Sequence, residues 1–263
     1  AALVRCPYSH AKVLSIDVSE AEKVPGFLGC ALPEEAPQAY FNCSGNPPSP
    51  LLMADEKVLT TEPLTIGEHS TSRAGVCEDD VVFILGTGTI GTIIAQACKL
   101  KGAKTVICCD ISDSSLERSK QFGADYTVNS KTQDIVAEVQ KITNGHGCTV
   151  AFDSACFPGS LTMIMQPGIV CNAGRVVPMG FCTVPEKITQ QMINGRELTI
   201  CGTRMSLNQW VPTAQKMAEG KYHMEGLATT FVKFSEIEKV FDNIVHPDPA
   251  VKKTVILFDG AED

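Results

Sequence analysis

Gly86, Gly88 and Gly91 stand at the spacing G-x-G-x-x-G inside "VVFILGTGTIGTIIAQACKLKGAKTVICCD", and Asp110 closes that stretch. A glycine loop of this kind, between a strand and a helix, can cradle a pyrophosphate. Gly86 permits the tight turn, Gly88 lets the backbone approach the anion, and Gly91 lets helix and strand pack closely; the helix N-terminus adds N–H groups and positive dipole. Asp110 ends the next strand 19 residues after Gly91, where a carboxylate can accept hydrogen bonds from both hydroxyls of a ribose. The candidate dinucleotide site is therefore Gly86, Thr87, Gly88, Thr89, Ile90, Gly91, Asp110 and Ile111. A 2′-phosphate beside Asp110 would be repelled, and the following "ISDSS" carries no arginine, so NAD is expected over NADP. Arg118, two helical turns along, is expected on a solvated helix face.

These residues need a frame. From about residue 80, short β-branched runs alternate with helical stretches, as a parallel sheet with crossover helices requires. Strands are predicted near 81–85, 104–109, 126–128, 148–153, 174–179 and 196–202. Between them "TIGTIIAQACKLKG", "SDSSLERSKQFG" and "TQDIVAEVQKITNG" space apolar residues by three and four and end in glycine. The expected fold is α/β, a doubly wound parallel Rossmann sheet with a small N-terminal α+β segment. Asp153, ending the fourth strand, is a further candidate for the cofactor crevice, with turn capping as its other reading. After Gly226 follow a strand "TTFVKF", a helix "SEIEKVFDNIV" with Ser235 as N-cap, and a strand "KKTVILF". Before residue 60 the texture changes to the proline- and glycine-rich "YFNCSGNPPSPLL", preceded by two strand-like runs, "KVLSIDV" and "GFLGCAL", around the short helix "SEAEKV". The predicted units are residues 1–59, 60–226 and 227–263.

Composition excludes some partners. The 263 residues carry a formal charge of -8, with no Lys/Arg-rich run to match a phosphate backbone, so no nucleic-acid partner is expected. The apolar runs are far shorter than the roughly 20 residues of a membrane span, and the N-terminus lacks the layout of a signal peptide, so a cytoplasmic protein without a membrane partner is expected. Twelve cysteines occur without a CxxC pair, several in apolar runs such as "TVICC", and read as buried free thiols.

Several ordered motifs carry a family resemblance. "TEPLTIGEHSTSRAGVCEDDVVFILGTGTIG", "LERSKQFGADYTVN", "GRVVPMGF" and "ELTICGT" resemble, over about residues 60 to 258, the cofactor half of the zinc-type medium-chain dehydrogenases of alcohols, sorbitol and sugar acids. The resemblance implies NAD-dependent hydride transfer between nicotinamide and a small alcohol or polyol, with Gly180, Phe181, Gly202 and Thr203 lining the crevice. It makes Glu62 a candidate zinc ligand, since the acid of the family's "EP" pair can approach catalytic zinc; a helix N-terminal acid favoured by the dipole is the other reading. It also implies a homodimer joined through the sheet edge at "RELTICGTRMS", an apolar and β-prone stretch. A complete member of that family carries a catalytic domain with a "GHE" pair and structural cysteines ahead of this half, and those motifs do not occur here. The upstream metal candidates are Cys6, His10, Cys30 and Cys43.

Residues 1 to 60 resemble something else. "ALVRCPYSHAKVLSIDVSEAEKVPGFLGCA" and "PLLMADEKV" are similar to the hammerhead segment of the xanthine and aldehyde oxidoreductases, a resemblance that carries no cofactor residue onto this chain. Three functional readings follow: an NAD-dependent alcohol or polyol dehydrogenase with zinc as a possible second cofactor; an NAD-binding module that lacks its catalytic half; and an accessory piece of a molybdenum hydroxylase. No catalytic residue is assigned.

Overall fold

The computed structural model describes residues 61–246, 248 and 251–257, together with Lys23, Tyr40–Phe41 and Ser49–Pro50. The hammerhead-like reading, and Cys6, His10, Cys30 and Cys43 with it, fall outside the described residues. Two short strands, β1 (Tyr40–Phe41) and β2 (Ser49–Pro50), pair antiparallel.

Helix α1 (Thr61–Arg73) leads into strand β3 (Val81–Leu85), and the alternation then runs α2 (Thr89–Leu100), β4 (Thr105–Asp110), α3 (Asp113–Gln121), β5 (Tyr126–Asn129), α4 (Ile135–Ile142) and β6 (Cys148–Asp153). It continues through α5 (Ser160–Ile164), β7 (Val170–Pro178), α6 (Gln190–Asn194), β8 (Thr199–Ile200) and α7 (Trp210–Ala218). Strand β9 (Thr230–Lys233), a 3-10 turn over Phe234–Glu236, helix α8 (Ile237–Val245) and strand β10 (Thr254–Leu257) complete the described chain. Strands β3 to β8 form one parallel sheet in the order β5-β4-β3-β6-β7-β8, while β9 and β10 pair parallel in a sheet of their own. This is the predicted Rossmann architecture: the order reverses between β3 and β6, and that reversal opens a crevice at the carboxyl ends of the strands.

The central strands are apolar on both faces because helices cover both. Phe83 and Leu85 of β3 join Ile107, Val128, Val139, Ile164 and Met165 in one core layer, against α4, α5 and α6. Val82 and Ile84 point the other way, to Ile94, Cys98, Val106 and Phe152 against α2 and the segment that follows α1. Continuous apolar runs rather than alternating ones are what such burial requires. Helix ends obey local chemistry: Ser112 and Asp134 cap α3 and α4 through the N–H groups of Ser115 and Ala137, and Gly102 and Gly123 follow α2 and α3 with positive φ.

Some expectations need correction. The last strand of the large sheet covers Thr199–Ile200 rather than 196–202, since β8 pairs on one side alone and both its residues are exposed. Strand β7 starts at Val170, earlier than predicted, because an irregularity shifts its register on β6 between Cys148 and Val150, with Ala173 at φ 56. Ser235 does not cap α8; it lies inside the 3-10 turn, which delays the α-helix until Ile237. The nine described cysteines are free, yet only Cys98, Cys108, Cys109 and Cys148 are buried, and Cys77 and Cys182 are exposed. Among the described residues no helix is long and apolar enough to cross a membrane.

Candidate functional site

The glycine loop occupies the crevice where the strand order reverses. Gly86 follows β3 at φ 88, a conformation that side chains resist, and a Cβ there would come 2.8 Å from the Ala155 nitrogen. Its N–H donates to the Cys109 carbonyl at 2.7 Å, while Ser154 donates its hydroxyl to the carbonyls of Leu85 at 2.9 Å and Gly86 at 2.6 Å. The turn is thus clamped between the ends of β4 and β6. At Gly91 a Cβ would lie 1.9 Å from the Gly86 carbonyl oxygen and 2.7 Å from Ser154 Oγ, so the close approach is of helix to loop as much as of helix to strand. Gly88 is exposed at the N-cap of α2, and a Cβ there would meet nothing within 4 Å. A bare helix N-terminus with open space before it is suited to an anion.

Asp110 ends β4 beside this loop. Its Oδ2 accepts from the Thr87 N–H at 2.7 Å and the Thr87 hydroxyl at 2.9 Å, and its Oδ1 from the Ser112 N–H at 3.0 Å. Three donors hold the carboxylate in one orientation, and a carboxylate has about four acceptor directions, so capacity for a further donor remains. The next side chain, Ile111, is 58% exposed and offers an apolar face at the rim. Thr87 is fully buried, Ile90 packs partly into the core, and Thr89 donates its hydroxyl to the Lys252 carbonyl at 2.9 Å, which brings the C-terminal segment to the loop.

The remaining candidates lie at the neighbouring strand ends. Asp153 is buried and accepts from the Cys156 N–H at 3.0 Å and the Ser160 hydroxyl at 2.6 Å, so it caps the turn into α5. It also lines a cavity of about 240 Å³ with Cys156, Ser160, Gly180 and Cys182. Burial and the Asp153 charge push the Cys156 thiol up to about 11, so it is protonated at neutral pH. Phe181 is 74% exposed with the Arg204 guanidinium 5.3 Å from its ring centre. Gly202 is exposed and its carbonyl accepts from Arg73, while the Thr203 hydroxyl is buried without a partner among the described residues.

Glu62 is exposed in the first turn of α1, where its carbonyl accepts from the Thr65 hydroxyl at 2.6 Å. No group of three His, Cys, Asp or Glu side chains placed to hold a metal occurs among the described residues. These residues therefore do not make a zinc site.

Two neighbours of the loop escaped sequence reasoning. Ser154 has a signal of a kind, since a small residue directly after Asp153 is what Gly91 needs beside it. Arg118 has none, and the expectation of a solvated helix face is wrong: the side chain is half-buried, donates to the carbonyls of Thr87 and Gly226 at 3.3 Å each, and lies 5.9 Å from the Phe122 ring centre. Burial lowers its pKa from the ordinary arginine value, and the Asp110 charge opposes that shift.

A parallel sheet with this strand order, and a glycine turn at the reversal, define a Rossmann-type dehydrogenase fold. The family model described as zinc-binding dehydrogenase matches residues 89–219. Starvation-sensing protein RspB of Escherichia coli is 32% identical over 189 residues, which are 72% of this chain and 55% of that protein. The (R,R)-butanediol dehydrogenase of Neisseria gonorrhoeae is 28% identical over 198 residues, 74% of this chain and 55% of that one. A crystal structure of an Escherichia coli alcohol dehydrogenase, rspB, complexed with NADH superposes with a TM-score of 0.69 at 29% identity, covering 80% of this chain and 61% of that one. The chain belongs, by its cofactor-binding half, to the zinc-type alcohol dehydrogenase family. It spans about half the length of the curated relatives it matches.

Proposed function

We propose that this chain holds NAD(H) as the cofactor half of a dehydrogenase that oxidises a small alcohol or polyol to the carbonyl compound. The observation that carries the reading is the open N-terminus of α2 at the strand-order reversal, with Asp110 fixed beside it by Thr87 and Ser112. The loop residues Gly86, Thr87, Gly88, Thr89, Ile90 and Gly91 would receive the pyrophosphate, Asp110 the adenosine ribose, and Ile111 the adenine. Phe181, Gly180, Gly202 and Thr203 stand at the ends of the neighbouring strands, on the side where the nicotinamide would extend. When bound, the cofactor supplies the acceptor for the hydride that leaves the alcohol carbon. The chain's own contribution is orientation and charge: helix dipole and backbone N–H groups for the phosphates, and a fixed carboxylate for a ribose hydroxyl. The relation to (R,R)-butanediol dehydrogenase supports the alcohol or polyol class. A homodimer through the exposed edge at β8 is part of the same reading.

Asp110 also sets the expected preference. A 2′-phosphate brought to a carboxylate already fixed in place is repelled, and Arg118 is engaged with carbonyls and cannot turn to meet it. Titration of the chain with NADH and NADPH, followed by nicotinamide fluorescence, is expected to show saturable NADH binding and NADPH at least about tenfold weaker. Equal affinity would remove Asp110 from its assigned role, and no binding of either would remove the cofactor reading.

A further inference from the structure

A glycine loop aims its N–H groups at an anion only if the opposite sides of the same peptides are held. The Thr87 carbonyl is so held, by the Arg118 Nη2 at 3.3 Å and by the Thr92 hydroxyl at 3.2 Å, and that hydroxyl itself accepts from the same Nη2 at 3.2 Å, so the guanidinium orders both donors. Nη1 donates to the Gly226 carbonyl, which ties the grip to a segment 108 residues away in sequence. In a trans peptide the carbonyl and the following N–H point in opposite directions, and no cis peptide occurs among the described residues. Drawing the Thr87 carbonyl inward onto the guanidinium therefore turns the Gly88 N–H away from the protein. Gly88 is exposed, and its N–H has no acceptor among the described residues. A cation on the carbonyl side also polarises the amide and makes its N–H the stronger donor. The arrangement has a cost, since the Arg118 Nε–H is buried without a partner among the described residues. A guanidinium with an orphaned N–H is a poor device for stability alone.

We infer that Arg118 is a positioning residue of the cofactor site, which orients and polarises the Gly88 N–H toward the cofactor's pyrophosphate. The inference rests on the NAD reading and adds to it a group that never touches the cofactor. It makes the phosphate part of the ligand, and not its nucleoside part, the part that depends on Arg118.

The test compares ADP-ribose, which carries the pyrophosphate, with adenosine, which does not. In Arg118→Met, ADP-ribose is expected to bind about tenfold more weakly and adenosine less than about twofold, with Arg118→Lys in between because it keeps the charge and loses the planar fork. A merely structural role would weaken both probes alike. A second readout needs no variant: in the 15N-labelled wild-type chain, the Gly88 amide proton is expected to move downfield on addition of ADP-ribose. Wild-type ADP-ribose affinity in a folded Arg118→Met, equal weakening of the two probes, or a Gly88 amide that does not move would each overturn the inference. Failure of the wild-type chain to bind ADP-ribose would overturn the NAD reading on which it stands.

Discussion

Helices α1 and α2 lie side by side and are buried by opposite means. Helix α2 buries Ile93, Ile94, Ala95, Ala97 and Cys98 with only Thr92 and Gln96 as polar company, whereas α1 buries Thr65, Glu68, His69, Ser70 and Thr71 with Leu64 as its one large apolar side chain. They meet closely at Gly67, where a Cβ would come 2.5 Å from Ile93 Cγ2. In α2 the stabilisation is the removal of apolar surface from water. In α1 it is the satisfaction of the hydroxyls and of the Glu68 carboxylate, because an unpartnered one would cost more than its burial returns. The hydroxyls of Thr65, Ser70 and Thr71 bond back to carbonyls three or four residues earlier. Glu68 is 1% exposed and held by Lys216 at 2.6 Å, by the Tyr222 hydroxyl and by Lys101 at 3.6 Å. The apolar helix carries the anion site at its end; the polar one braces it from the side and ties in Lys216 of α7. The apolar helix α2 should be insensitive to pH, and the polar helix α1 should not.

The largest effect is expected where α2 begins. Gly91→Val places side-chain atoms on the Gly86 carbonyl oxygen, and NADH affinity should fall by more than about a hundredfold, as measured by fluorescence titration. An unchanged isotherm would mean that the close packing of helix on loop is not what shapes the site. Within the helices, Ile93→Ala should cost about 3 kcal/mol in urea unfolding at any pH between 5 and 8. Glu68→Ala should cost less, about 2 kcal/mol, since Lys216 and Lys101 keep contact with water and are not stranded as fully buried cations would be. An equal and pH-independent loss in both variants would erase the distinction between the helices.

The smallest and most discriminating effect is the pH dependence itself. Burial pushes the Glu68 carboxyl up, but Lys216, Tyr222 and Lys101 together hold it below its ordinary value of 4.5. A carboxyl depressed in the fold contributes stability above that value, lost as pH falls below it. Burial, and then the Arg73 charge, lower His69 below 6.5, so the unfolded chain takes up its proton first on acidification. Stability is therefore expected to decline as pH drops below 6.5, and again below 4.5, with Glu68→Gln shrinking the lower step. A flat urea midpoint from pH 8 to 4 would show that α1 is held as α2 is.

The contrast also sets what could be read in advance. The glycine loop was legible because a positive φ requires glycine at Gly86 and the nearby Gly86 carbonyl requires it at Gly91, and Asp110 because strand and helix lengths fix its distance from them. The sheet order followed from the alternation of apolar runs and amphipathic helices. Glu68 was not legible as a core residue, since its partners Lys216 and Tyr222 lie 148 and 154 residues away. Arg118 was hidden in the same way: a helical pattern shows which face a charge occupies, while its acceptors at Thr87 and Gly226 come from other elements. Ser235 fits the local rule for an N-cap, and the 3-10 turn displaces it.

The central claim is that the N-terminus of α2 is the anion site of a dinucleotide. The most direct measurement is a crystal structure of the chain grown with NADH. The account predicts the pyrophosphate within hydrogen-bond distance of the N–H groups at 88–90, with an adenosine ribose hydroxyl on Asp110. Cofactor density elsewhere, or a ribose turned away from Asp110, would contradict it.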